Sequence, residues 1–370
     1  MSNNEYWKSF IRIAFESTIN KRFLMTNGPI RLLIVESKKS DGLVYKQILE
    51  EQILVGDQLI SAKIEDDHIF DPNCLLSFLR ENDGLNIGNY YKGFDTNEMK
   101  DPLNWDAVID IVDDYLNNEE AYKKYDLYGF IDQDTEGHNI KGRPISMTEM
   151  HDCETNIIRK CFNKYISNLL FKEEISKTLP RIIEFAYVQG LLEKESFEYG
   201  DSFIAWKLQI ITHQNFFNEG LLRLFDEAQD DIKDSFKTYL NSKNSSFVDD
   251  EKGEYHSFKK SFYSSLEKEA SFDMKTLISR WLNFATTNDD ERILNYIFRR
   301  INGHVFLELL YHSVGKYLEI DGLSNMWEKK RESMIVNRVL HSADSANLRC
   351  MQTINPVKEY AQYLARLKRT

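Results

Sequence analysis

No stretch of this sequence stays apolar for anything near the ~20 residues that a membrane-spanning helix needs. Met1-Ser2-Asn3-Asn4-Glu5 has neither the basic start nor the apolar core of a signal peptide. Together these absences lead us to expect a cytoplasmic protein with no membrane contact. Cysteine is scarce: Cys74, Cys153, Cys161 and Cys350 form no CxxC pair, which argues for reduced structural thiols rather than a zinc site. Positive charge is in deficit, with 47 Lys and Arg against 59 Asp and Glu and a formal charge of -12. That balance argues against a nonspecific nucleic-acid coat. It leaves room for an enzyme that carries an acidic metal site and confines its basic residues to one face. There is no GxxxxGK[ST], so the chain is not itself a P-loop ATPase, and any ATP dependence would come from a partner. Internal repeats and low-complexity tracts are also absent.

What is present is enough for two domains, because 370 residues exceed the ~250–300 at which single cores stop growing. Arg31 to Val35 is a short apolar run, as expected of a strand buried on both faces, and it stops at Glu36. Ser37-Lys38-Lys39-Ser40 follows, and Asp41 can cap a helix whose Val44, Ile48 and Leu49 face inward. A second apolar run, Leu127 to Ile131, ends in Asp132-Gln133-Asp134. Around these we expect an N-terminal helix over 6–23, ended by Asn27-Gly28-Pro29, and a strand over 58–64. Residues 65–102 read as loops around a short helix near 75–79. Asn104 caps a helix with Trp105, Val108, Ile109 and Val112 in one stripe; a strand follows over 145–147, and a helix opens at 151–154. Strands alternating with helices imply an α/β layer with a mostly parallel sheet. Beyond it, 221–236 and 301–314 have period 3.6, with a polar surface loop over 241–255 between them. The expected organisation is an N-terminal helix (1–28), an α/β domain (29–170) and an all-α domain (171–370) serving dimerisation, partner or substrate binding.

In an open parallel sheet, active groups collect beyond the C-terminal strand ends. Glu36, Asp132 and Asp134 all fall there. Three hard oxygen donors around one cleft suit Mg²⁺ or Mn²⁺, and an ion so held activates phosphoryl chemistry. Lys38, Lys39, Lys141 and Arg143 lie in adjoining loops, where cations steady charge developing on a phosphate. The alternative for each acid is bland, since strands often end in Glu or Asp. His151 and Glu154 have a helix-entry alternative, with Asp152 or Thr155 as cap and Glu154 complementing the positive helix end. Asn302-Gly303 before His304 is likewise sufficient as cap chemistry. From Lys329 onward the chain is rich in base with Tyr360 and Tyr363 interleaved, which fits either a nucleic-acid grip or a solvated helical face.

Val35-Glu36 with Asp41 in the next turn, then Phe130-Ile131-Asp132-Gln133-Asp134, resembles the Toprim domain of primases, type II topoisomerases and OLD-family nucleases. Met150-His151-Asp152-Cys153-Glu154-Thr155-Asn156 is similar to the HDxEN stretch of the DUF4435 branch of Toprim-like proteins. Arg300-Ile301-Asn302-Gly303-His304 is similar to an Asn-Gly segment in that branch's helical part. The resemblance covers about residues 30–165 well and the helical half loosely. It implies a Toprim-like sheet and a nuclease whose metal ligands are Glu36, Asp132 and Asp134, with Glu154 as a further site residue; Lys38 joins them by its place in the loop after Glu36. It also implies the biology of the nuclease effector of PARIS-type anti-phage systems: control by an ABC-type ATPase partner, and tRNA among the candidate RNA or DNA substrates. A homodimer is expected. Two departures stand out: Ser37 replaces the usual glycine after the first Glu, and Asp41 lies one residue late. A non-catalytic Toprim-fold module docking on an ATPase is the second expectation. A signalling receiver is disfavoured, because Ser37 breaks the acidic doublet that receivers need.

Overall fold

The computed structural model describes residues 29–38, 41–72, 105–133, 138–168, 172–198, 273–303 and 349–367, with isolated positions besides. The helices expected over 6–23, 75–79 and 221–236 and the loop over 241–255 lie outside the described residues, apart from single positions. The chain divides into two compact units, Met1–Glu149 with Trp327–Thr370, and Met150–Met326. These differ from the boundaries expected at 28/29 and 170/171.

The first unit is built on four parallel strands in the order β4-β1-β5-β6: β1 (Ile30–Ile34), β4 (Ile69–Phe70), β5 (Tyr125–Ile131) and β6 (Ile145–Met147). β1 and β5 are the two apolar runs, and both are buried along nearly their whole length, as central strands of a covered parallel sheet must be. On one face Leu32, Ile34, Leu127 and Ile131 share a core with Val108, Ile111 and Val112 of α2 (Trp105–Asn117). Gly129 makes this approach possible: a Cβ there would lie 3.1 Å from Val108 Cγ1 and from Ile145 Cγ1. A short helix, α3 (Glu119–Tyr122), leads into β5.

The opposite face carries α1 (Asp41–Leu49) and α8 (Asn355–Leu367). The rings of Tyr45 and Tyr360 stand 4.2 and 5.6 Å from Phe130, and Tyr360 and Tyr363 stand 5.0 and 4.9 Å from Tyr128. Helices therefore cover both faces, giving a layered α/β unit. Tyr360 is only 1% exposed, so it is a core residue and cannot stack on a nucleic-acid base. The last helix belongs to the sheet, not to a separate helical domain. Its amphipathic pattern specifies a buried face but not which partner buries it.

Two further expectations are corrected in this unit. The segment expected as one strand over 58–64 is half of an antiparallel hairpin, β2 (Gln52–Val55) and β3 (Gln58–Ser61), in a sheet of its own. Gly56, at φ +58, makes its tight turn. Within the stretch expected as loops, Ile69–Phe70 forms the edge strand β4 beside β1.

The described residues of the second unit form α4 (Cys153–Asn168), α5 (Lys172–Glu198), α6 (Met274–Leu282) and α7 (Asn288–Phe298). Phe162, Trp281, Phe298 and Phe306 meet in an aromatic core, with centroids 5.5–6.5 Å apart. Thr287 and Asp290 close a capping box at the start of α7. Among the described residues no helix is long and apolar enough to cross a membrane.

Candidate functional site

Because all four strands run the same way, their C-terminal ends share one edge. After β1 the chain travels to β4 on one side, whereas after β5 it continues to β6 on the other. The direction of travel reverses between β1 and β5, which is where open α/β sheets leave a crevice. Glu36 and Asp132 stand at that point. Ile34 pairs with Gly129, so Glu36 falls beside the last residues of β5, and its Oε1 accepts a hydrogen bond from Asp132 N at 2.7 Å. The Glu36 carboxylate and the Asp132 backbone amide, 96 positions apart, thus meet at the switch point of the sheet.

This contact is one link in a belt of side-chain-to-backbone bonds across the strand ends. Asp71, just after β4, accepts from Lys38 N at 2.6 Å with Oδ2 and from Cys74 N at 2.5 Å with Oδ1. Asp41, the first residue of α1, accepts from Ser37 N at 3.2 Å, so its carboxylate reaches back to the loop that carries Glu36. Beyond β5, Gln133 N donates to Thr148 Oγ1 at 2.9 Å. Each bond satisfies an amide lying past the end of the regular ladder, where an orphaned donor is costly. Asp71 and Thr148 were not anticipated. The available signal was an acid or hydroxyl directly after a very short apolar run, as in Ile69-Phe70-Asp71 and Ile145-Ser146-Met147-Thr148.

Of the cations expected here, Lys38 turns toward β4: its Nζ donates to Asp66 O at 2.6 Å, with Asp66 Oδ2 at 3.4 Å. Burial pushes the Asp66 carboxyl up, but Lys38 and Lys46 beside it outweigh this and hold it below the usual range. Arg143 is held by α2, donating from Nε and Nη2 to the two oxygens of Asp113 at 2.6 and 2.9 Å. It braces the loop before β6, which corrects its expected place beside the acids. Lys141 is exposed, and Lys39 and Asp134 lie outside the described residues.

Glu154 belongs to the second unit, in the first turn of α4, and is 4% exposed. There the two segments singled out by resemblance touch each other. Asp152 caps α4, accepting from Thr155 N at 2.7 Å while Thr155 Oγ1 accepts from Asp152 N at 3.0 Å. The same carboxylate accepts from Gly303 N at 2.6 Å, and His151 Nδ1 lies 3.2 Å from it. Gly303 has no room for a side chain, since a Cβ would lie 2.4 Å from Asp152 Oδ1 and 2.6 Å from Glu154 Cβ. His304 lies outside the described residues.

Among the described residues no group of three or more His, Cys, Asp or Glu is placed to hold a metal ion. Glu36 and Asp132 both stand at the C-terminal strand ends, and Mg²⁺ is usually held by one or two carboxylates plus water and substrate phosphate. A carboxylate offers roughly four acceptor positions, so the amide bond on Glu36 is compatible with ligation. In residue type, the carboxylate oxygens of Glu36 and Asp132 fit a hard divalent ion. Comparison with protein-family models, with curated proteins and with solved structures yields no match.

Proposed function

We propose that the chain is a metal-dependent, Toprim-like nuclease, the toxic effector of an anti-phage defence system whose activity an ABC-type ATPase partner restrains. The observation that supports this reading is the placement of Glu36, bonded to the Asp132 amide, at the switch point of a parallel sheet. Glu36, Asp132 and Asp134 would hold Mg²⁺ or Mn²⁺, which when bound polarises a phosphoryl oxygen and makes a nearby water more acidic. Glu36 is aimed by its bond to the Asp132 amide, and Asp71 and Asp41 fix the loop behind it. Lys38 is anchored on Asp66 next to the crevice, from where its charge favours an approaching phosphate. In this reading Glu154 is a further site residue, the substrate is RNA or DNA with tRNA a leading candidate, and the protein works as a homodimer.

The test is a cleavage assay with Mg²⁺ or Mn²⁺ on total tRNA, ribosomal RNA and plasmid, comparing wild type with Glu36→Ala. Cleavage by wild type alone is expected, with loss of cellular toxicity in the variant. A folded Glu36→Ala protein that cleaves normally overturns the proposal.

One observation favours a second reading, in which the unit is a non-catalytic module that docks on an ATPase. Glu36 already serves as acceptor for a backbone amide, which is a structural task. Titration with Mn²⁺ separates the two readings, since a scaffold has no site to lose when Asp132 and Asp134 are changed together.

A further inference from the structure

We infer that Asp71 is a positioning residue for Glu36, setting its aim from the neighbouring strand; its functional consequence rests on the metal-site reading above. Asp71 is 5% exposed and directly follows the shortest strand of the sheet. Its two oxygens do different things. Oδ1 accepts from Cys74 N, three residues on, which is a local cap of the following turn. A local cap needs only one oxygen. Oδ2 instead reaches Lys38 N, 33 positions away, on the loop that begins with Glu36.

Val35 N is still held by Phe70 O at 2.9 Å, so the regular ladder between β4 and β1 ends one residue before Glu36. The next cross-strand tie on that side is Asp71 to Lys38. On the other side the next tie is Glu36 to Asp132. Glu36 thus sits between two anchored points, and the Asp71 bond fixes the backbone from which its side chain reaches β5. Releasing Lys38 N frees the loop to rotate about Glu36 and weakens the bond to Asp132 on the far side of β1. A carboxylate that served only its own turn would have no such reach.

Native-state hydrogen exchange of the full-length protein in increasing urea tests this without any variant. The amides of Lys38 and Asp132 are expected to open together, with the same free energy and the same urea dependence. Separate openings at the two amides overturn the inference. Asp71→Asn supplies the perturbation, since its amide retains one acceptor oxygen where the carboxylate has two. In that variant exchange is expected to quicken by about tenfold at Asp132 as well as at Lys38, with the urea unfolding midpoint little changed. Quickening confined to Lys38 and Cys74 assigns Asp71 a purely local role and refutes the inference. Calorimetric titration of both proteins with Mn²⁺ then reads the metal site separately. No binding to wild type removes the metal reading yet leaves the exchange result standing. Equal binding to wild type and Asp71→Asn removes the positioning role while leaving the metal reading intact.

Discussion

Replacing Glu36 in two ways separates the work its charge does from the work its hydrogen bond does. In Glu36→Gln the side-chain carbonyl can still accept from Asp132 N, now 2.7 Å from the carboxylate. Only the charge assistance is lost, which is the difference between a charged and a neutral bond, about 1 kcal/mol. In Glu36→Ala the acceptor disappears and the Asp132 amide must turn to water. Hydrogen bonds to charged groups contribute ~1.5–3 kcal/mol, and the half-buried setting argues for the lower end. Against a typical domain stability of ~5–15 kcal/mol, both variants fold. If the carboxylate ligates a metal, Gln removes the charge that holds the ion and leaves only a weaker, neutral oxygen. Mn²⁺ affinity should then fall in both variants by at least the ~10–100-fold that losing a mere supporting partner costs, and nucleic-acid cleavage should vanish in both. Urea unfolding, calorimetry with Mn²⁺ and the cleavage assay together make the measurement. A Gln variant that binds Mn²⁺ and cleaves like wild type, while Ala fails in both, would show that only the hydrogen bond matters and refute the metal assignment.

Three further outcomes follow from the packing. Gly129→Val forces methyl groups into a contact already at 3.1 Å from α2 and β6; a loss of ~1–3 kcal/mol in urea unfolding is expected, and an unchanged midpoint would mean the helix stands off the sheet. Asp152→Ala removes the α4 cap and the acceptor of the buried Gly303 amide, for a combined loss of about 2–4 kcal/mol, with Asp152→Asn milder; equal stability of all three proteins contradicts the contact. Alkaline pH should loosen α8. Burial pushes the Tyr128 phenol up to about 12, and burial also raises Tyr360 and Tyr363. Below pH ~10, the phenol's unfolded value, both states keep these protons and stability is flat. Above it the folded state binds more protons than the unfolded chain, so stability falls toward pH 12 by up to ~1.4 kcal/mol per pH unit for each tyrosine. Unfolding midpoints at several pH values, paired with ultraviolet titration of tyrosinate, read this directly; a flat midpoint up to pH 12 would place the rings in water.

The parts of this fold legible in the sequence are those where one residue run determines its own environment. β1 and β5 are continuous apolar runs, and a strand buried on both faces has no other way to look. Their acids followed from simple position, because parallel strands send their C-terminal ends to one edge. β4 was not legible, since two apolar residues between His68 and Asp71 carry no periodicity. Of the hairpin at 52–61 only the second arm was legible, because the exposed Leu54 blurs the alternation of the short first arm. Partners distant in sequence were hidden altogether. Arg143 resembled a free loop cation until Asp113, 30 positions earlier, was found to hold it. The same applies to Asp152 and Gly303, 151 positions apart, whose segments were each recognised but whose contact no local pattern encodes.

The docking of α8 on the sheet has a consequence for the order of assembly on the ribosome. Tyr128 and Phe130 are made early, yet the ring that covers them, Tyr360, emerges about 230 residues after β5 ends. At typical synthesis rates of ~5–20 residues per second, that aromatic face waits about 10–45 s for its cover. The layered unit that holds Glu36 and Asp132 therefore lacks the helix that finishes it until residues 355–367 have been made.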